Sequence, residues 1–191
     1  EFLFNIPMNS LDTDELVISN TGEPGSILVY NVAVSPFPSE IDQIDGFGYA
    51  WQSSFNNTLA DFEWIDISEN NEVISFPSND EGTVVPLDFD FKFYDNTYSQ
   101  CIINPNGWIG FEDDNNGWNN QSILDEESPR SAIFAFWDDL NPENSNNEVG
   151  SGEVKYHASE ERIVIWYDQV VHWTSLDRVY DFQIVLYPSG L

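Results

Sequence analysis

The sequence predicts an all-β protein: an antiparallel two-sheet β-sandwich, jelly-roll-like, with two or three extra strands contributed by the N-terminus. Three observations predict it. Almost no stretch carries the 3.6-residue apolar period of a helix, whereas several alternate apolar and polar residues strictly. Pro, Gly, Asn, Asp and Ser interrupt the chain at short intervals, which is the spacing of strands in a sandwich or barrel. Aromatic residues make up 15% of the 191 residues, and Phe, Tyr and Trp favour strands.

The elements follow in chain order. "EFLFNIP" and "DELVISNTGEPGSILVYNVAVS" (14–35) read as strands around an Asn-Thr-Gly turn. The Pro- and acid-rich "PFPSEIDQIDG" (36–46) marks a boundary. Residues 1–36 are too few for a sandwich of about 100 residues, so they are expected to pack on the remainder or to complete a domain elsewhere. Residues 37–45 are a linker, and 46–191 form the sandwich module.

Within that module "PLDFDFKFY" is the cleanest strand. Leu87, Phe89, Phe91 and Phe93 face one way, and Asp88, Asp90 and Lys92 the other. "CIINPNGWIGF" is a hairpin turning on Asn104-Pro105-Asn106-Gly107, with Pro for a φ near −65° and Gly for a positive φ. "SAIFAFWDDLNP" reads as a buried strand from Ala132 to Trp137 that runs into Asp138 and Asp139. "GEVKYHA" (152–158), "RIVIWYDQVVHW" (162–173) and "RVYDFQIVLYP" (178–188) are long strands joined closely enough to be antiparallel neighbours. Two acidic, Asn-rich loops remain, at 112–122 and 141–152.

The charge balance excludes several functions. Thirty-four Asp and Glu against five Lys and Arg give a net charge of −29. Such a surface repels nucleic acid and anionic lipid, which bind cationic groups. No run approaches the roughly 18 apolar residues of a membrane span, so membrane insertion is not expected. Oxygen-rich surfaces suit hard divalent cations, and calcium is the expected cofactor. Cys101 is the single cysteine and reads as a small core hydrophobe. Cysteine scarcity fits a cytosolic protein, or a secreted bacterial one stabilised by calcium.

Asp138 and Asp139 admit three roles. Consecutive strand residues point to opposite faces, so the pair cannot serve one site while extended. At a turn their oxygens can converge with those of Asn141 and Glu143 on a cation. Equally, they can cap the turn ahead of Asn141-Pro142. Catalysis is the least supported role. Asp113 and Asp114, with Asn115 and Asn119, form a second metal candidate that resembles a calcium loop in composition only. His157 and His172 lie on predicted strands without a zinc pattern and read as surface or edge residues. No G-x-S-x-G motif is present. Trp118 stands in a polar loop. With Asn116 and Asn119 it suits stacking on a sugar face, or else tucks the loop over the core.

Seven segments, "GFGYAW", "FEWIDI", "PLDFDFKFYDNTYSQCIINPNGWIGF", "AIFAFWDDLNP", "GEVKYHA", "VIWYDQVVHW" and "DFQIVLYPSG", come in a familiar order over residues 46–190. Together they resemble the β-sandwich module of large secreted bacterial proteins, often found beside subtilisin-like or other peptidase domains. The central part is similar to the extracellular region of nidogen. The N-terminal "LVISNTGEPGSILVYNVAVS" resembles part of the short immunoglobulin-like repeats of those bacterial proteins, which makes residues 1–36 a partial immunoglobulin-like strand segment. The resemblance implies a non-catalytic accessory module, secreted or at the cell surface. It would act as a spacer or bind an extracellular polysaccharide or protein, or other domains of its parent chain. The alternatives are a carbohydrate-active enzyme using paired carboxylates such as Asp138 and Asp113, and a docking domain for a sister peptidase.

Overall fold

The computed structural model describes residues 45–54, 62–112, 117–123, 125–142 and 150–188. The chain divides into two compact units, Glu1–Asp61 and Phe62–Leu191. The described part of the first unit is residues 45–54. There Asp45 Oδ1 accepts the backbone N–H groups of Phe47, Gly48 and Tyr49, each at 2.9 Å. The expected N-terminal strands and nearly all of the linker lie outside the described residues.

In the second unit the alternating runs become strands. They are β1 (Glu72–Val73), β2 (Thr83–Phe93), β3 (Asn96–Asn104), β4 (Trp108–Gly110), β5 (Ala132–Phe134), β6 (Leu140–Asn141), β7 (Glu153–Ala158), β8 (Ile163–His172) and β9 (Ser175–Leu186). One sheet runs β2-β3-β4-β5; the other runs β1-β7-β8-β6, with β9 on β8. Every pairing is antiparallel. The all-β, two-sheet sandwich expected from the sequence is therefore what forms.

Period-two alternation builds the core. Val85, Leu87 and Phe91 of β2 with Cys101 and Ile103 of β3 meet Val154, Ile165, Tyr167 and Ile184 of the facing sheet. Asp88, Asp90 and Lys92 are exposed, as their register requires. At one end Phe91, Phe93 and Tyr98 gather around Phe111 with ring centroids 4.9 to 5.2 Å apart. The sheets are also tied by hydroxyls. Tyr167 OH donates to Asn104 O at 2.6 Å, and Tyr156 OH donates to Pro86 O.

Two expectations need correction. The run 132–137 is not one buried strand. β5 ends at Phe134, Phe136 is 38% exposed, and the chain crosses to pair Leu140 with His172 in the other sheet. An apolar run says that a segment is buried, not which sheet receives it. The turn between β8 and β9 is also tighter than expected. His172 pairs with Ser175 across Trp173-Thr174, so β9 starts at Ser175 rather than Arg178.

The outer faces are covered by segments that are not strands. Residues 62–67 cross the outside of the β7-β8-β9 sheet. The Gln183 side-chain amide clasps the backbone of Ile65, accepting from its N–H at 3.1 Å and donating to its C=O at 2.7 Å. Trp64 meets Trp166 edge-on at 5.6 Å, and Ile67 is buried. On the other sheet Trp108 points away from the core, opposite in sense to Ile109, yet it is 0% exposed. Its cover comes from the β4–β5 connection, where Ser128 is buried and its Oγ donates to Ser122 O at 2.7 Å.

Candidate functional site

The Asn-Pro-Asn-Gly turn between β3 and β4 organises the crossing from β5 to β6. Asn104 and Asn106 are both fully buried. Asn104 Oδ1 accepts the Asn106 N–H at 2.9 Å, and Asn104 Nδ2 donates to Asp80 O at 2.9 Å. Asn106 Oδ1 accepts the Leu140 N–H at 2.9 Å, while its Nδ2 donates to Asn79 O and to Asp80 Oδ1. The backbone contributes as well: Phe136 N–H donates to Gly107 O and Asp138 N–H to Asn106 O. A buried polar chain of this kind is stable only when its members are paired. Here it joins three segments that are distant in sequence.

This explains the two carboxylates at the end of an apolar run. They sit where the chain leaves one sheet for the other. Asp138 Oδ1 accepts the Asp139 N–H at 3.0 Å, a local cap of the bend, and lies 3.5 Å from His172 Nε2. His172 Nδ1 accepts the Thr174 N–H at 3.0 Å. That bond leaves the ring proton on Nε2, facing Asp138. Asp139 O accepts the Trp173 N–H at 2.8 Å. Burial raises the Asp139 carboxyl above its ordinary pKa, as do the negative charges of Asp80 and Asp138, against the opposing pull of His172. Asp80 is raised by burial, with the Asn106 amide acting the other way. The cluster thus concentrates negative charge on partly desolvated groups.

A second feature displays Trp118. The Gly117 carbonyl accepts two indole N–H groups, from Trp108 at 3.1 Å and from Trp137 at 2.6 Å. Trp137 stacks on Phe134 with centroids 4.6 Å apart, and Asn120 Nδ2 donates to the Trp137 carbonyl. The loop is thereby anchored on both sides of Trp118, which remains 47% exposed. A fixed loop with an outward aromatic loses little conformational entropy on contact with a flat ligand face.

A family model described as NIDO related matches residues 54–190. The chain belongs to the NIDO-related family. No curated protein and no solved structure matches it. The resemblance to nidogen therefore holds at the level of the domain. Members of this family are generally non-catalytic and typically extracellular, and membership suggests an accessory or binding module.

In this NIDO-related domain the described members of the sequence-predicted site residues fall in two places. Asp138 and Asp139 lie at the crossing, and Asn141 is fully buried beside them in β6. Trp118 and Asn119 belong to the anchored loop. Asp113, Asp114, Asn116 and Glu143 lie outside the described residues. Among the described residues no three His, Cys, Asp or Glu side chains group so as to hold a metal ion. Cys101 is 1% exposed, and burial pushes its thiol up to about 12, so it is inert as a nucleophile at neutral pH. His157 lies on β7, half-buried. Sequence reasoning missed Asp80, the reach of Asn106 and the double acceptor at Gly117. The paired Asn residues of the turn carried the only signal, since one Asn suffices for a turn and a second invites another role.

Proposed function

We propose that this NIDO-related domain is a non-catalytic accessory module of a secreted bacterial protein, acting as a spacer or as a binder of an extracellular polymer and stabilised by calcium. The observation that carries the binding role is Trp118, held outward on a loop that two indoles fix from below. The family match supports the non-catalytic reading. So does the employment of Asp138, whose Oδ1 accepts the backbone N–H of Asp139 and faces His172.

The test is co-sedimentation with insoluble polysaccharides, with released sugar ends measured in parallel. The native domain is expected to bind without releasing sugar. Trp118→Ala is expected to lose binding while keeping its stability within about 1 kcal/mol, as befits a half-exposed side chain. A loss of about 3–5 kcal/mol would mark Trp118 as a packing residue and defeat the reading.

The calcium element rests on the net charge of −29, whose carboxylates repel one another. A divalent ion bound by the folded state would offset that repulsion. At calcium about 100-fold above its Kd the gain is about 2.7 kcal/mol, or about 5–10 °C in the unfolding midpoint. Midpoints that coincide with calcium and with chelator, at one ionic strength, would remove calcium from the proposal.

A further inference from the structure

The sandwich is open along one side, where β1 and β2 are the edge strands of their sheets. A groove of about 780 Å³ lies there, formed by residues 70–75, by β2 from Thr83 to Asp88, and by β7 from Tyr156 to Ala158. That volume is in the range of specific ligand sites, about 300–1,000 Å³. Its floor is apolar, with Ile74, Val85 and Tyr156 all buried. Its rim exposes Val73 at 43% and Val84 at 55%. Glu72 and Asp88 add two exposed carboxylates, and no Lys or Arg lines the groove. Neither carboxylate meets a Lys or Arg among the described residues. Both lie close enough to add to burial in holding the Tyr156 hydroxyl well above its ordinary pKa.

Several polar groups of the lining are already used. Tyr156 OH donates to Pro86 O, Thr83 Oγ1 donates to Ser75 O at 2.6 Å, and the Asn71 amide donates to Ile67 O at 2.8 Å. The first two of these bonds hold the walls together, and the third fixes the turn that leads into β1. Asn70 and the half-buried His157 complete the polar lining, and the other groups left facing a ligand are apolar or anionic. We propose that this groove is a docking site for an extended segment of a partner protein that alternates apolar residues with Lys or Arg. The apolar side chains would cover Val73 and Val84, and the cations would answer Glu72 and Asp88. The −29 field of the whole chain would speed the encounter. This site is separate from the Trp118 loop and does not depend on it.

The probe is a fluorescein-labelled, end-capped hexapeptide of alternating Val and Lys, followed by anisotropy at low salt. Its counterparts carry Gln or Glu in place of Lys. The domain is expected to bind the Lys peptide and neither counterpart. The double variant Glu72→Gln/Asp88→Asn is expected to weaken binding about tenfold, from the loss of two ion pairs. Glu160→Gln/Glu161→Gln, which removes the same charge outside the groove, is expected to change it less than about twofold. Val84→Ser tests the rim and is expected to weaken binding as well. Trp118→Ala should leave it unchanged. Equal weakening by both double variants would show attraction to net charge alone and overturn the proposal. So would binding of the Gln peptide as tight as that of the Lys peptide, or no binding of the Lys peptide.

Discussion

Gly107→Ala is expected to destabilise the domain by more than about 3 kcal/mol, a large share of the roughly 5–15 kcal/mol that keeps a domain folded. Two costs add. Gly107 sits at φ +82°, where a side chain costs about 1–2 kcal/mol. A Cβ there would also stand 1.9 Å from the carbonyl oxygen of Phe136 and 3.2 Å from Leu140 Cδ1. The first neighbour is backbone and cannot swing aside. It belongs to the segment that Gly107 O and Asn106 O hold by accepting the N–H groups of Phe136 and Asp138. Relief of the contact would therefore pull the crossing away from the turn and break those bonds. Urea unfolding followed by fluorescence measures this. A loss below about 1 kcal/mol would mean that the crossing is pliable and that the asparagine network does not fix it.

The second large effect is expected from Trp108→Ala, about 3–5 kcal/mol. Trp108 lies on the face of its sheet that the sandwich core does not use, so a core defined by the two inner faces would assign it little. Its burial is nonetheless complete. The ring lies over Gly110, where an added Cβ would meet it at 3.1 Å, and it packs near Phe134 at 6.0 Å. Truncation opens a cavity between the sheet and the covering connection, and removes one of the two donors to the Gly117 carbonyl. Trp108→Phe keeps most of the packing and loses that hydrogen bond, and is expected to cost about 1–2 kcal/mol less than the Ala variant. Comparing the two by calorimetry separates packing from anchoring. Equal and small losses would show that the connection is a loose cover rather than a second core.

The strands of the second unit were legible because their alternation is read directly as faces. Phe89, Phe91 and Phe93 fall on the inner side of β2 and Asp88 and Asp90 on the outer side, and the same logic holds for β7, β8 and β9. The crossing at 135–139 was not legible. Its residues are as apolar as those of β5, and only the distant bonds from Asn106 and Gly107 tell the chain where to turn. Trp108 and Trp118 illustrate the same limit for the candidate site. Each stands beside a Gly in an Asn-rich setting, and the sequence distinguishes Trp118 only by its polar loop. Nothing local shows that the Gly117 carbonyl would receive two indoles from residues 9 and 20 positions away. Asp80 was overlooked for the same reason, since its partner Asn106 is 26 residues on. Contacts made through side chains across such separations leave no period behind.

The clasp between Gln183 and Ile65 changes what the outer covering demands of its sequence. A carboxamide offers one donor and one acceptor side by side, as a peptide group does. Held this way, the covering segment is gripped by its main chain, and the grip is blind to the side chain at position 65. A further strand would have needed a whole ladder in register; one glutamine pins the segment at a single point. The side chain at position 65 is then free to vary in kind while its place on the sheet stays the same. Position 183 has no such latitude, because aspartate or glutamate lacks the donor and a shorter amide lacks the reach. The covering segment can thus change its residue at this point without re-registering a single strand.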